Sequence, residues 1–156
     1  MDALLTEFYD LMISRIEIMG GSVPPGKKAL KEFWDEIDMF LPPKGQLVLV
    51  RSEDGTLVGC GSLKSIGDGK GELKRLFVKP EARGLGLGRR LVEMRIEAAR
   101  ALGLKSLYVD TLQNNQEMRG LYKKMGFKEE DSYTESDSLK LHTKMGNIVS
   151  YYSIDL

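Results

Sequence analysis

At 156 residues, with 42% hydrophobic and 29% charged residues, the chain suits one soluble domain with a sizeable core, and neither disorder nor a membrane class is indicated. Lys plus Arg and Asp plus Glu both number 23, so no overall field draws the protein towards nucleic acid or an anionic membrane, and any charged site must be local. The single cysteine, Cys60, cannot form an internal disulfide, and no Cys/His cluster has the spacing of a structural zinc site; this predicts no metal and fits a reducing cytoplasm.

Residues 1–20 carry Asp2, Glu7, Asp10, Arg15 and Glu17 among their apolar residues, against the pattern of a signal h-region or a membrane span. Leu4, Leu5, Phe8, Leu11, Met12 and Ile16 recur at helical steps and predict an amphipathic helix stopped by Gly20-Gly21. After the connector Pro24-Pro25-Gly26, Leu30, Phe33, Trp34, Ile37 and Phe40 predict a second helix ending before Pro42-Pro43, with Trp34 in the core. Gln46 to Arg51 and Thr56 to Ile66 read as a β-hairpin about Asp54-Gly55, and Glu72 to Val78 as a third strand. Leu87, Leu91, Met94 and Ala98 set one face of a helix reaching about Leu102. Lys105 to Thr111 comes next as a strand, then a short helix capped by Asn114 or Asn115 and closed by Gly126. Strands near Phe127–Tyr133 and Ile148–Asp155 complete the order ααβββαβαββ, an α/β (α+β) domain with a mixed sheet.

The third strand runs through Lys79-Pro80-Glu81-Ala82 into Arg83-Gly84-Leu85-Gly86-Leu87-Gly88 and then the long helix. Glycines there let backbone N–H groups approach an anion, the helix N-terminus adds partial positive charge, and Arg83 and Arg89 supply full charges. The ligand so implied is a phosphate or pyrophosphate. A dinucleotide fingerprint would need glycine at position 89, which is Arg89, and a turn following the strand without the four-residue link. A Walker A reading of Gly21 to Lys27 fails because Lys28 stands where Ser or Thr must hold magnesium, and Pro24 and Pro25 lack N–H groups. On this motif alone, a tight helix entry with no ligand stays open.

Taken with the segment from Asn115 to Phe127, the glycine-rich turn resembles the core of the GNAT superfamily of N-acetyltransferases. Arg83, Gly86 and Gly88 match the anchors of that family's pyrophosphate motif, and Asn115, Tyr122, Gly126 and Phe127 match its second motif at the family's spacing. The resemblance covers Glu72 to Tyr133 and implies a mixed, mostly antiparallel central sheet flanked by helices. It implies acetyl transfer from acetyl-coenzyme A, as co-substrate, to a primary amine of a small molecule or peptide. The implied coenzyme contacts are Leu76, Phe77 and Val78 on the strand, Arg83, Gly84, Leu85, Gly86, Leu87, Gly88 and Arg89 in the turn, and Asn115 and Tyr122 beyond it. By the same resemblance the Val78 N–H is the oxyanion donor, Tyr122 the general acid and Glu72 the base; because a free alkyl amine is protonated at neutral pH, a water relay is the other route, and Asp110, at the end of the neighbouring strand, is the reserve. A homodimer is a common outcome for such domains.

Each role has a plainer alternative. Tyr122 shares helical spacing with Met118, Leu121 and Met125 and could be a core aromatic, Glu72 an edge carboxylate paired with Lys74 or Arg75, and Asn115 a helix cap. Cys60, between Gly59 and Gly61, reads as a small buried hydrophobe and His142 as a surface residue. Glu129, Glu130, Asp131, Glu135 and Asp137 read as a solvated acidic loop, or as an attractor of cationic amines if they border the cleft. A non-catalytic acyl-coenzyme A-binding sensor module is the alternative to an enzyme, and a nucleotide-binding domain the third reading.

Overall fold

A computed structural model of the chain describes residues 1–23, 25–131 and 148–156. Helices α1 (Asp2–Ile18) and α2 (Gly26–Asp35) are followed by a 3-10 turn (Ile37–Phe40), β1 (Gly45–Arg51), β2 (Leu57–Gly67) and β3 (Lys70–Val78). Helix α3 (Leu87–Ala101), β4 (Ser106–Leu112), α4 (Gln116–Lys124), β5 (Lys128–Glu130) and β6 (Val149–Asp155) complete the order. Among the described residues the strands form one six-stranded sheet ordered β1-β2-β3-β4-β6-β5, parallel only between β3 and β4. The mixed, mostly antiparallel sheet flanked by helices is the architecture expected from the sequence.

Strand β2 is buried along most of its length, as a central strand covered on both faces must be. On one face Leu63, Leu73, Leu107 and Val109 pack with Val92 and Ala99 of α3 and Tyr122 of α4. On the other, Cys60 and Phe77 pack with Leu4 and Leu5 of α1, Phe33 of α2 and Phe40. The second helix differs from expectation. It ends at Asp35, and Ile37 to Phe40 continue as a 3-10 turn, which tucks Phe40 against Phe33. Trp34 is consequently not core: it is 41% exposed, lies edge-on to Phe33 and donates its indole N–H to Asp2 Oδ1 at 3.0 Å. His142, Glu135 and Asp137 lie outside the described residues.

The feature that shapes the site is a bulge in β3. Cys60 pairs with Phe77 and Ser62 with Lys74, so Gly61 alone stands opposite both Arg75 and Leu76. Arg75 takes up the extra residue with φ 54°, a left-handed conformation that side-chain-bearing residues seldom adopt. Above the bulge sits Arg95 of α3, 0% exposed. Its Nε donates to Leu91 O at 2.9 Å, and Nη1 donates to Ser62 O at 3.2 Å and Lys74 O at 3.3 Å. Parallel pairing of β3 with β4 ends just there, at Leu73 and Val109, so the two strands part over the remainder of β3.

Gly61 has no side chain because the guanidinium occupies its place: a Cβ there would lie 2.9 Å from Arg95 Cζ and Nε. Gly61→Ala should therefore destabilise the fold by about 1–3 kcal/mol through overpacking. Urea denaturation checks this, and the loss should shrink in an Arg95→Met background, where the clashing group is absent; an equal loss in both backgrounds would contradict the packing argument.

Candidate active site

Two clefts meet where β3 and β4 part. The first, about 400 Å³, runs from the turn before α3 to the free end of β3. It is lined by Leu76, Phe77, Val78, Arg83, Gly84, Gly86, Leu87, Gly88 and Arg89, with Asn115 across from them. Of the residues expected to hold the coenzyme, Leu85 lines neither cleft and is 74% exposed, while Tyr122 lines the second cleft only.

The turn has the character of an anion cradle. Gly84 and Gly86 have φ 81° and 75°, and a Cβ added to either would meet nothing within 4 Å, so the space above the turn is open. Gly86 is the N-cap of α3 with no side-chain cap, which leaves the first N–H groups of a fifteen-residue helix facing that space. Arg83 Nε donates to Val78 O at 3.1 Å, and Arg89 pairs with Glu93 at 2.9 Å on the exposed side of the helix. These features fit a pyrophosphate-bearing ligand.

Lys79 N donates to Val58 O at 2.8 Å across β2. Because successive backbone groups of a strand point to opposite sides, the Val78 N–H and C=O turn the other way, into the gap that β4 has left. Phe8 of α1 packs on Phe77 at 6.0 Å and lines both clefts, and Glu7 pairs with Lys79 at 2.6 Å, so α1 is fastened along the outer end of β3.

The second cleft, about 230 Å³, is lined by Tyr9, Met12, Lys74, Arg75, Leu76, Asp110, Thr111, Asn115, Met118 and Tyr122, among others. Leu76, Asn115 and Met118 line both clefts and mark their junction. Asn115 is the α4 N-cap, its Oδ1 accepting from Met118 N at 3.4 Å. The cap fixes the start of the helix that carries Tyr122 two turns later. Tyr122 is 2% exposed, its ring packed against Phe127 and Tyr152 at 5.3 and 5.9 Å, so it is a core aromatic that also borders the cleft. Burial pushes its phenol up to about 12; the Arg95 charge opposes the rise and Asp110 adds to it.

Glu72 is placed differently. It is 0% exposed, pairs with Lys64 at 3.5 Å and Lys74 at 3.3 Å, and lines neither cleft. Asp110 does line the second cleft, next to Thr111. Cys60 is buried, its thiol pushed up to about 11 by desolvation, and it donates to Arg75 O at 3.4 Å, which suits a packed hydrophobe rather than a nucleophile. Of the acidic run, Glu129 pairs with Lys123 at 2.8 Å and Arg119 at 3.6 Å.

Two arginines of this region are not legible as site residues from sequence. Arg95 falls on a helix at a position that periodicity assigns to no role, and Arg75 lies in a plain β run. The one signal is glycine in a strand, since Gly61 marks a bulge or close approach.

The sequence model of the Acetyltransferase (GNAT) family matches residues 8–127. An uncharacterised N-acetyltransferase of Schizosaccharomyces pombe is 42% identical over 93 residues, covering 59% of this chain and 57% of that protein. The chain thus spans little more than half the length of the curated relatives it matches. Among solved structures, a GNAT-family acetyltransferase of Staphylococcus aureus superposes with a TM-score of 0.72 at 19% identity, covering 97% of this chain and 92% of that one. PaiA N-acetyltransferase of Thermoplasma acidophilum, in complex with coenzyme A, superposes with a TM-score of 0.63 at 22% identity, covering 84% and 71%. With a family model spanning both the glycine-rich turn and α4, the chain belongs to the GNAT family of acetyltransferases.

Proposed function

We propose that the protein transfers an acetyl group from acetyl-coenzyme A to a primary amine that enters through the second cleft. The observation that carries this reading is the gap between β3 and β4, which joins an open glycine cradle to a cleft bordered by a tyrosine and a carboxylate. The coenzyme-bound relative of the same fold supports coenzyme A as the ligand of the first cleft.

The coenzyme supplies an activated acetyl thioester. In this chain the N–H groups of the turn and of the first α3 residues would bind its pyrophosphate, with Arg83 and Arg89 neutralising charge. Leu76 and Val78 would align the pantetheine arm by strand-like backbone bonds, and the Val78 N–H would donate to oxygen as charge develops on it. Tyr122 would donate a proton to the departing sulfur, and a phenol held protonated up to about 12 keeps that proton throughout the neutral range.

A free alkyl amine is almost wholly protonated at neutral pH, so a proton acceptor is needed. Asp110 lines the cleft where such an amine would sit. Glu72, locked between Lys64 and Lys74, would act only through a water relay, since it lines neither cleft.

The coenzyme assignment predicts two losses of different origin. Arg83→Ala removes a charged donor, a loss of about 1.5–3 kcal/mol in coenzyme A binding. Gly86→Asp places a carboxylate in the open space above the turn, and at φ 75° it also strains the backbone, so its loss should be larger. Calorimetry with coenzyme A measures both, and wild-type affinity in both variants would contradict the assignment.

Tyr122→Phe keeps the ring packing and removes the proton donor. Turnover, measured as thiol release from acetyl-coenzyme A with a panel of amines, should fall about 10²–10⁴-fold in single-turnover measurements while coenzyme affinity is retained. An unchanged single-turnover rate would leave Tyr122 a core aromatic. The pH–rate profile carries a second check. Because the phenol is held up to about 12, the wild-type rate should show no alkaline loss from this group as pH rises to 10, its ordinary value. An alkaline loss below pH 10 that is absent from Tyr122→Phe would contradict the raised phenol.

A further inference from the structure

Building on the reading that Tyr122 gives its proton to the departing sulfur, we propose that Arg95 is the positioning residue for that step: its buried guanidinium faces the phenol and stabilises the tyrosinate that the transfer leaves behind.

The placement rests on packing. On α3, Arg95 shares a face with Val92 and Ala99, and both of these pack in one cluster with Leu73 and Tyr122. Its Nε and Nη1 are tied to the carbonyls of Leu91, Ser62 and Lys74. Lys74 and Tyr122 both line the second cleft, so the guanidinium stands behind the wall of that cleft. Support of the bulge engages Nε and Nη1 only; Nη2 is buried with no hydrogen-bond partner among the described residues. Burial draws the guanidinium down from its ordinary value. Foremost among the groups opposing this is Tyr122, within electrostatic reach of the guanidinium but short of a formed hydrogen bond from Nη2.

The charges show what the unpartnered Nη2 is for. A guanidinium stays protonated in proteins, and a charge taken from water without a counter-charge is strongly unfavourable. Among the described residues no carboxylate pairs with Arg95, so in the resting protein, where the phenol is neutral, its charge is met by carbonyl oxygens alone. Proton transfer reverses this. As the carbon–sulfur bond breaks, its electron pair stays on sulfur, sulfur takes the phenol proton, and Tyr122 becomes an anion with 2% exposure. Arg95 then has the counter-charge it lacked, and the anion has a donor in Nη2. An interaction stronger after the transfer than before it lowers the barrier rather than tightening the resting complex. Tyr122 recovers a proton from water in the second cleft once the coenzyme has left. The other groups near the pair are Asp110 of β4, which raises the phenol, Tyr152 of β6, with its ring at 5.9 Å, and Cys60 of β2 on the Arg95 side. The other cations of the second cleft are engaged elsewhere, Lys74 with Glu72 and Arg75 over the Phe33 and Phe40 rings.

The test places Arg95→Met and Arg95→Lys in the wild-type and Tyr122→Phe backgrounds and measures single-turnover acetyl transfer, with coenzyme A affinity showing that each variant is intact. Arg95→Met should slow transfer about 10²–10³-fold, the usual cost of losing one preorganised donor to a developing oxyanion, and should add little to the loss in Tyr122→Phe. Arg95→Lys, which keeps the charge but not the fork, should fall between wild type and Arg95→Met, and decides the matter if Arg95→Met does not fold. An equal slowing in both backgrounds would leave Arg95 a support of the bulge and overturn the proposal. A Tyr122→Phe variant as fast as wild type would instead remove the tyrosine as acid, and the proposal with it. The second readout needs no acceptor. With 3,5-difluorotyrosine at position 122 the phenol is acidic enough to titrate in the folded protein, followed by fluorine NMR. Its midpoint should rise by about one unit or more in Arg95→Met and by less in Arg95→Lys, because a nearby cation favours the anion. A midpoint unmoved by Arg95→Met, or by Arg95→Lys where only that variant folds, would overturn the proposal.

Discussion

Arg95 sits at the centre of α3 with no exposed surface, and its guanidinium donates to the carbonyls of Ser62 and Lys74 on the two strands that flank the bulge. A charge taken from water must be hydrogen-bonded, and here the acceptors are backbone oxygens that a regular ladder would not present together. The interaction therefore stabilises an irregular pairing of β2 and β3 and forbids a side chain at Gly61. Its Nη2 has no hydrogen-bond partner among the described residues, while the Tyr122 hydroxyl lies near enough for the two groups to influence each other's proton affinity. One side chain thus links the strand geometry to the tyrosine bordering the cleft.

The consequence of the bulge is spatial. Beyond Leu73 the backbone of β3 turns away from β4, and this parallel pair opens into a gap. On one side of the gap lie the glycine turn and the N-terminus of α3; on the other lie Asp110, Tyr122 and Arg75. Helix α1 closes the outer edge through Phe8, Tyr9 and Glu7, each of which contacts a different β3 residue or its immediate successor. A thioester entering from one side and an amine from the other would meet at Leu76 and Met118, which belong to both clefts.

Much of this architecture is legible in the sequence because the informative features are local. Helical periodicity locates α1 and α3, Asp54-Gly55 locates the hairpin, and the turn from Arg83 to Gly88 announces its own chemistry. Asn115 can be read as a cap because its role depends on the next three residues. The features that are not legible are long-range. Trp34 looks like core by spacing, yet the helix ends one residue later and Phe33 takes the buried place. The ion pairs that separate Glu72 from both clefts come from β2 and β3 side chains brought together only by register. Arg75 cannot be recognised because nothing in a single sequence shows that a non-glycine residue will adopt φ 54°, or that two aromatic rings will lie beneath it.

If the gap between β3 and β4, opened by the bulge, is where the coenzyme and acceptor meet, a crystal structure of the protein with coenzyme A is the most direct measurement. The account predicts pyrophosphate oxygens on the backbone N–H groups of Gly84 to Gly88, the pantetheine arm alongside Leu76 to Val78, and the sulfur facing Tyr122 across the gap. A coenzyme bound elsewhere, or one whose arm bypasses the free edge of β3, would contradict it.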